Sequence, residues 1–216
     1  MGKKGDLRDL RKSYEKGLIS DEFKKFDPFF IFEKWFDEAK ADKSILEPNA
    51  MTLSTINRFQ IPKSRVVLLK KFDLNGFIFF TNYNSEKGKS ISNNNNVCLN
   101  FYWPSLEKQI IIKGIADRIS KNESIDYFNS RPFGSQIGAI VSNQSQIIES
   151  REVLEKKFKK IINIYSEIKP EKPDDWGGYI VKPNLFEFWQ GRKNRLHDRL
   201  EFKLDDDIWN SNRLSP

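Results

Sequence analysis

Residues 64–82 have the sequence SRVVLLKKFDLNGFIFFTN. It contains two runs rich in β-branched and aromatic residues, SRVVLLKKF and GFIFFTN. The dipeptide Asn75-Gly76 lies where the second run begins. Runs of this composition are typical of β-strands, and an Asn-Gly pair between them is typical of a turn. The stretch therefore predicts two strands separated by a turn.

Similar runs occur on both sides of this stretch. They are AMTLSTI at 50–56, VCLNFYW at 97–103, EKQIIIKGIADRI at 107–119, GGYIVKP at 177–183, LFEFWQG at 185–191, RLEFKL at 199–204 and DIWNSNRL at 207–214. Their short, regular spacing favours an antiparallel barrel or sandwich over a doubly wound sheet. The predicted fold class is α+β and mainly β.

Helical patterns interrupt the strands at two places. In DPFFIFEKWFDEAKAD, Asp27 suits the N-cap position and Pro28 the first helical position. Between about residues 120 and 170, Ser120 and Glu123 form a capping box, and REVLEKKFKKIINIYSEI at 151–168 has apolar residues at spacings of three and four. We predict a flexible, polar arm over residues 1–25, and one domain over 26–216 with a helical insertion at about 120–170.

The composition excludes several classes of protein. A chain of 216 residues with 38% hydrophobic residues can form a folded core, and no apolar run approaches the roughly 18 residues that cross a membrane. The single cysteine, Cys98, excludes an internal disulfide and a cysteine-based zinc site, so we expect a cytoplasmic protein without metal. The net charge of +7 is compatible with nucleic acid or with small phosphorylated ligands.

The segment SEKGKS at 85–90 ends in Gly-Lys-Ser, as phosphate-binding P-loops do. A P-loop also requires a glycine five positions before that glycine, and this chain has Tyr83 there. What remains is a strand followed by a helix that Ser85 caps. The helix N-terminus and Lys87 could hold a phosphate, and a simple capped helix is the alternative.

The segment WQGRKNRLHDRLEF at 189–202 contains His197, the only histidine, among several arginines. Arginine suits phosphate, and Trp189 offers a flat surface for stacking. A lone histidine is more often structural than catalytic. Because side chains alternate along a strand, we expect Arg195, His197 and Arg199 to share one face and to line a single pocket.

Several motifs taken together resemble the pyridoxine/pyridoxamine 5′-phosphate oxidase family. They are RVVLLK, FFTN with SEKGKSI, LEKQIIIKG, YFNSRPFGSQIGAIVSNQS, WGGYIV, EFWQGRKNRLHDR and the closing RLSP. The resemblance extends from about residue 8 to the C-terminus. It implies an FMN-binding split β-barrel with a helical subdomain, and a homodimer with FMN at the subunit interface.

The resemblance also implies which residues bind FMN. They are Arg65, Val66, Val67, Leu68, Leu69, Lys70, Phe80, Thr81, Lys87, Gln109, Gln144, Ser145, Trp189 and Arg199. One departure from the family matters, because Glu86 precedes Lys87 where the resemblance implies an arginine in many members. A phosphate contact from position 86 is therefore expected to be lost.

For the substrate, the resemblance implies a second set of residues. They are Arg11, Lys12, Ser13, Tyr14, Lys70, Tyr127, Arg131, Ser135, Arg195 and His197, of which Arg195 and His197 are the predicted catalytic residues. The stretch from Arg11 to Tyr14 matches a segment that closes over the substrate in the family.

The activity implied is oxidation of pyridoxamine 5′-phosphate and pyridoxine 5′-phosphate by O2 to pyridoxal 5′-phosphate, with release of H2O2 and, from the amine, NH3. Two alternatives stay open. One is a split-barrel flavin or pyridoxal-phosphate binding protein without oxidase turnover. The other, a basic nucleic-acid-binding barrel, is disfavoured because aromatic residues and arginines do not alternate along one strand. We expect neither nucleic acid nor a membrane as a partner.

Overall fold

The computed structural model describes residues 7, 10 and 12–216 and contains nine strands and five α-helices over that part of the chain. The helices are α1 Pro28–Ala41, α2 Glu86–Asn93, α3 Lys121–Ser130, α4 Phe133–Val141 and α5 Arg151–Ile164. The strands are β1 Ala50–Ile56, β2 Pro62–Leu68, β3 Lys71–Asp73, β4 Gly76–Asn82, β5 Asn96–Trp103, β6 Lys108–Arg118, β7 Trp176–Gln190, β8 Asp198–Asp205 and β9 Ile208–Leu214. The predicted α+β, mainly β class is confirmed.

Two compact units make up the chain. The first comprises Met1–Pro48, Asn100–Ile112 and Leu185–Pro216, and the second comprises Asn49–Leu99 and Lys113–Asn184. Strands β5, β6 and β7 each contribute residues to both units. The predicted helical insertion corresponds to α3, α4 and α5, which all belong to the second unit. The predicted division into an arm over 1–25 and one domain over 26–216 uses other boundaries and stays a prediction.

In the second unit the strands follow the order β2-β1-β5-β6-β7-β4-β3. Strands β1 and β2 are antiparallel with Leu53 opposite Arg65, and β4 and β7 are antiparallel with Phe80 opposite Gly178. Alternate residues of each strand point to one face, so β1 is buried at every second position. The ring of Phe79 stacks on Tyr179 with centroids 5.6 Å apart in this core.

In the first unit, the C-terminal half of β7 pairs with β8, and β8 pairs with β9. Helix α1 packs its apolar face on this part of the sheet. Phe32 and Trp35 of α1 are fully buried and meet Phe101 and Phe188 edge-to-face, with ring centroids 5.3 and 5.4 Å apart. Edge-to-face contact is a favourable geometry for aromatic rings, and it fixes α1 against the strands.

The helix starts predicted from the sequence are confirmed. Asp27 accepts a hydrogen bond from the N–H of Phe29 at 2.8 Å, and Ser120 accepts one from Glu123 at 3.1 Å. Ser85 accepts one from Gly88 at 3.2 Å at the start of α2. Such caps satisfy N–H groups that the first helical turn leaves without partners.

Three predicted elements differ from the structure. SRVVLLKKF is not one strand, because β2 ends at Leu68 and the N–H of Lys70 donates to Ile78 at 2.8 Å between β2 and β3. GGYIVKP and LFEFWQG belong to a single strand, β7. Helix α5 ends at Ile164 and has no buried residue, and its apolar Val153 and Ile164 are exposed. None of the helices in the described part of the chain is long and apolar enough to span a membrane.

A pair of helical glycines tests how closely α2 packs. Replacing glycine with alanine in a helix interior ordinarily stabilises a protein by about 1 kcal/mol. A Cβ on Gly88 would lie 2.2 Å from the carbonyl oxygen of Tyr83, whereas a Cβ on Gly138 of α4 would meet nothing within 4 Å. We expect Gly88→Ala to lower the free energy of unfolding by about 1–3 kcal/mol and Gly138→Ala to raise it slightly. Urea denaturation of the cofactor-free protein measures both, and a stabilised Gly88→Ala variant would contradict the close packing.

Candidate active site

The structure divides the predicted site residues between the two units. The second unit holds Arg65, Val66, Val67, Leu68, Leu69, Lys70, Phe80, Thr81, Lys87, Tyr127, Arg131, Ser135, Gln144 and Ser145. The first unit holds Lys12, Ser13, Tyr14, Gln109, Trp189, Arg195, His197 and Arg199. Arg11 lies outside the described residues. Each unit has a cavity lined by members of its own set.

The cavity of the second unit, here called the phosphate cavity, has a volume of about 450 Å³. It is lined by Val66, Val67, Leu68, Lys70, Phe80, Thr81, Lys87, Tyr127, Arg131, Pro132, Ser135, Gln144 and Trp176. Most of the residues predicted in this unit are therefore brought together. Arg65, Leu69 and Ser145 do not line the cavity.

Lys87 is the most unusual group in the phosphate cavity, because it is a buried cation with neutral partners. Its ammonium donates to Gln144 Oε1 at 2.8 Å, to Thr81 Oγ1 at 3.2 Å and to Ser85 Oγ at 3.4 Å. Burial, and secondly the positive charge of Arg65, lowers the pKa of Lys87 to about 8. A buried cation of this kind, next to the N-terminus of α2, is suited to an anionic ligand.

Two charged neighbours of Lys87, Arg65 and Glu86, have opposite signs. The guanidinium of Arg65 donates to Thr55 Oγ1 at 2.7 Å and to the carbonyl oxygen of Leu53 at 3.2 Å, and burial lowers its pKa. Glu86, the residue that departs from the family, forms an ion pair with Lys63 of β2. The hydrogen bond from Lys63 is the main reason why the pKa of Glu86 is lowered. The negative charge of Glu86 is therefore balanced by Lys63, and Glu86 forms no ion pair with Lys87.

Aromatic rings form one wall of the phosphate cavity. Phe80 stacks on Tyr127 with centroids 3.8 Å apart and on Trp176 at 5.5 Å. The guanidinium of Arg131 lies 4.8 Å from the Trp176 ring centroid. Its Nη1 atom is buried and has no hydrogen-bond partner within the described part of the chain. Because an unpaired buried donor is costly, this nitrogen marks a place for an acceptor from a ligand.

A turn after α4 completes the phosphate cavity. Gln144 Oε1 accepts from Thr81 Oγ1 at 2.8 Å as well as from Lys87, so it fixes the turn against β4. Ser145 has a φ of 72°, in the left-handed region. Leu69 is buried in the core, and its N–H donates to Asn49 at 2.8 Å.

The cavity of the first unit, here called the histidine cavity, has a volume of about 580 Å³. It is lined by Leu10, Lys12, Ser13, Tyr14, Trp189, Arg192, Asn194, Arg195 and His197. The predicted residues Gln109 and Arg199 lie outside this lining. Gln109 donates to Asn100 Oδ1 at 2.6 Å, and Arg199 donates to Glu187 at 2.7 Å and to the carbonyl of Ser215 at 2.8 Å.

His197 is held by one main-chain hydrogen bond and two rings. Its Nδ1 accepts from the N–H of Arg192 at 3.1 Å. The Trp189 and Tyr14 ring centroids lie 4.8 and 5.6 Å from the imidazole. Because Nδ1 is the acceptor, the proton of the neutral ring is on Nε2, which can donate a hydrogen bond to a ligand.

The expectation that Arg195, His197 and Arg199 share one face of a strand is wrong. Strand β8 begins at Asp198, and Arg195 lies in the short 3-10 helix Lys193–Arg195. Asn194 and Arg195 have φ values of 57° and 62°, a left-handed conformation that side chains adopt at a cost. This turn, and not strand alternation, directs Arg195 and His197 into the same cavity.

Trp176, Arg192 and Glu107 lie in or next to these cavities and were not among the predicted site residues. Trp176 lines the phosphate cavity, and the WGGYIV motif at 176–181 was its only signal. Arg192 orients His197 through its backbone, which no side-chain pattern reveals. Glu107 contacts residues more than 90 positions away, as described below.

Comparison with known proteins gives the family. The family described as "Pyridoxamine 5'-phosphate oxidase" matches residues 37–165, and "Pyridoxine 5'-phosphate oxidase C-terminal dimerisation region" matches 176–216. A relative from Flavobacterium psychrophilum named "Pyridoxine/pyridoxamine 5'-phosphate oxidase" is 53% identical over 212 residues, covering 98% of this chain and 99% of the relative.

Solved structures agree with this assignment. PhzG from Burkholderia lata 383 in complex with tetrahydrophenazine-1-carboxylic acid is 25% identical, with a TM-score of 0.85 over 92% of this chain and 98% of that one. A pyridoxamine 5′-phosphate oxidase-related, FMN binding protein from Nostoc punctiforme is 16% identical, with a TM-score of 0.73 over 88% and 99% of the two chains. The predicted split-barrel fold is thereby confirmed, and the chain belongs to the pyridoxine/pyridoxamine 5′-phosphate oxidase family.

Proposed function

We propose that this protein is an FMN-dependent oxidase that converts pyridoxamine 5′-phosphate and pyridoxine 5′-phosphate to pyridoxal 5′-phosphate. Family membership supports the reaction class. The observation that carries the proposal is that the phosphate cavity holds the buried Lys87 and the half-buried Arg131, two cationic groups withdrawn from solvent that form no ion pair within the described residues. Two cations without carboxylate partners suit two phosphates, one from FMN and one from the substrate.

FMN fits the residues of the phosphate cavity. Lys87, Arg65 and the N-terminus of α2 would hold its phosphate, and the segment Arg65–Lys70, Phe80, Thr81 and Gln144 would hold the rest together with Ser145. When bound, FMN would supply the two-electron redox chemistry of the reaction, with O2 as the final oxidant. Gln109, Trp189 and Arg199 are proposed cofactor contacts from the first unit.

The remaining predicted residues bind the substrate. Arg131, Lys70, Tyr127 and Ser135 hold the substrate phosphate, because Arg131 has a free buried donor and the others line the same cavity. Arg195 and His197 hold the reacting edge of the pyridine ring, with Nε2 of His197 as a donor. For the amine, the overall change converts pyridoxamine 5′-phosphate, O2 and water to pyridoxal 5′-phosphate, ammonia and H2O2.

We further propose a homodimer with FMN bound between two copies. The cofactor and substrate sets are each divided between the two units, and residues 176–216, which carry Trp189, Arg195, His197 and Arg199, match a dimerisation region. A cytoplasmic location stays a prediction of the sequence.

Oxygen uptake separates this function from the alternatives. Addition of pyridoxamine 5′-phosphate to the yellow protein is expected to consume O2 and to produce the absorbance of pyridoxal 5′-phosphate. A yellow protein that binds the substrate without consuming O2 would be a flavin carrier. A colourless protein that flavin titration leaves unchanged would support the nucleic-acid-binding alternative.

The lowered pKa of Lys87 predicts how FMN affinity depends on pH. Free protein loses the Lys87 proton near pH 8, and a dianionic phosphate binds the protonated form better. FMN affinity is therefore expected to be highest below pH 8 and to fall above it, by up to about tenfold per pH unit. Fluorescence titration of FMN between pH 6.5 and 9.5 measures this, and the decline should be absent in Lys87→Gln.

The lowered pKa of Lys87 has the opposite effect on the stability of the cofactor-free protein, which is expected to rise with pH. An unfolded lysine keeps its proton up to about pH 10.4, so the unfolded chain binds more protons than the folded chain above pH 8. The Lys87 contribution to the free energy of unfolding is therefore expected to rise with pH from about 8 upward. The difference between wild-type and Lys87→Gln stability curves isolates it, and a difference that falls with pH would contradict the burial of a charged Lys87.

Arg195 and Arg199 are expected to have separate roles. Arg195→Leu should lower kcat/KM about ten- to a hundredfold while the protein stays yellow, since one charge-assisted contact to the substrate is lost. Arg199→Leu should release FMN and recover activity partly with excess FMN. His197→Asn should have a smaller effect than Arg195→Leu, because an amide can still donate one hydrogen bond. Steady-state kinetics with measured flavin content test this, and flavin loss in Arg195→Leu alone would reverse the assignment.

A further inference from the structure

Residues 12–17, here called the strap, are bound by one buried carboxylate, that of Glu107. Glu107 is 2% exposed, and its Oε2 accepts from the main-chain N–H groups of Glu15 and Lys16 at 2.7 and 2.9 Å. Its Oε1 lies 3.8 Å from the ammonium of Lys12. A single carboxylate oxygen thus accepts hydrogen bonds from two consecutive backbone N–H groups. Such charge-assisted hydrogen bonds are stronger than those between neutral groups.

The position of Glu107 is itself fixed by the end of β7. Glu107 lies in the turn between β5 and β6 with a φ of 55°. Its carbonyl oxygen accepts from the N–H of Gly191 at 2.8 Å and from Gln190 Nε2 at 3.1 Å. Gly191 directly precedes the turn that carries Arg195 and His197. The carboxylate that holds the strap and the segment that bears the catalytic residues are therefore fixed to each other.

The strap forms part of the wall of the histidine cavity. Lys12, Ser13 and Tyr14 line it together with Arg195 and His197. The Tyr14 ring lies edge-on to Trp189 and His197, with centroids 5.7 and 5.6 Å away. A Cβ on Gly191 would lie 2.7 Å from the Tyr14 ring, so the glycine permits this close approach.

The chain that follows the strap is held independently. The N–H of Ile19 donates to Asp198 at 3.1 Å, and Arg213 donates to the carbonyl of Ile19 at 2.8 Å. Loss of the Glu107 bonds would therefore leave residues 12–17 with weaker polar contacts, chiefly the ion pair of Glu15 with Lys193 at 3.2 Å and the 3.5 Å hydrogen bond from Arg192 to the carbonyl of Gly17. The chain from Ile19 onward would stay attached. The effect of a Glu107 substitution is expected to be local.

We propose that Glu107 is a positioning residue that holds the strap over bound substrate. It touches neither substrate nor cofactor and acts through Tyr14 and its neighbours. The inference rests on the proposed function for the identity of the substrate, and on the geometry alone for the strap. With the strap released, the substrate loses a wall of its cavity and dissociates more readily, whereas the groups that carry out the chemistry stay in place.

Two substitutions of Glu107 separate its hydrogen bonds from its charge. In Glu107→Gln the amide oxygen can still accept both N–H groups, so only the charge and the Lys12 contact are lost. In Glu107→Ala no acceptor remains. Glu107→Ala is expected to raise KM for pyridoxamine 5′-phosphate about tenfold with kcat within about threefold of wild type, and Glu107→Gln should stay within about threefold in both.

Hydrogen exchange provides a readout that does not depend on activity. Peptides that cover residues 12–18 should exchange faster in Glu107→Ala than in wild type or Glu107→Gln, because the amides of Glu15 and Lys16 lose their acceptor. The matched control is Glu38→Gln, which removes a carboxylate from an ion pair with Lys108 in the same unit. It should leave both the exchange of this peptide and KM unchanged.

A second pair of variants changes the strap instead of the buried carboxylate. Lys16→Pro removes one of the two N–H donors, and Lys16→Ala keeps it. If Glu107→Ala fails to fold, faster exchange at 12–18 and a raised KM in Lys16→Pro, with wild-type values in Lys16→Ala, would support the inference.

The outcomes distinguish this inference from the proposed function. Wild-type exchange and wild-type KM in both Glu107→Ala and Lys16→Pro would overturn the role of Glu107. Faster exchange with unchanged KM would show that the strap is fastened but does not retain substrate, which also overturns it. If the wild-type protein consumes no O2 with pyridoxamine 5′-phosphate, the proposed function fails, and the KM of the variants is replaced by the dissociation constant of pyridoxal 5′-phosphate measured by fluorescence.

Discussion

Burial of the Lys87 ammonium is the constraint on which the phosphate cavity depends. A cation taken out of water must regain its hydrogen bonds from the protein, and here three oxygens provide them: Thr81 at the end of β4, Ser85 at the cap of α2, and Gln144 in the turn after α4. These segments lie up to 63 residues apart in the chain. The need to surround one charge therefore brings together a strand, a helix start and a turn, and the cavity is the space between them.

The fold was predictable from the sequence because its elements are marked by local signals. Asp27, Ser85 and Ser120 cap helices at the positions that their side-chain chemistry predicts. The strand-like runs also form strands, since alternation of buried and exposed residues is a local property. Long-range contacts are different. Nothing near Glu107 in the sequence indicates that its partners are Glu15 and Lys16.

The site residues that belong to family motifs could be predicted from the sequence. The positions that depend on an unusual backbone conformation could not. Most of the residues that line the phosphate cavity were predicted from the family motifs. Residue type alone does not specify that the strand is interrupted at Leu69 and Lys70. Nor does it specify the left-handed backbone conformation of Asn194 and Arg195. Trp176 was missed because tryptophan at the start of a strand is ordinarily a core residue, and only its contact with Arg131 shows that it also lines the cavity.

The hold of Glu107 on the strap has a consequence for how this sequence can vary. The carboxylate binds the main-chain N–H groups of positions 15 and 16, and both side chains at these positions are exposed. Almost any side chain could therefore occur there without loosening the attachment. Related sequences could diverge freely at these two positions while the same path of the backbone persists, so a variable N-terminal segment would be no sign that the cavity wall is dispensable.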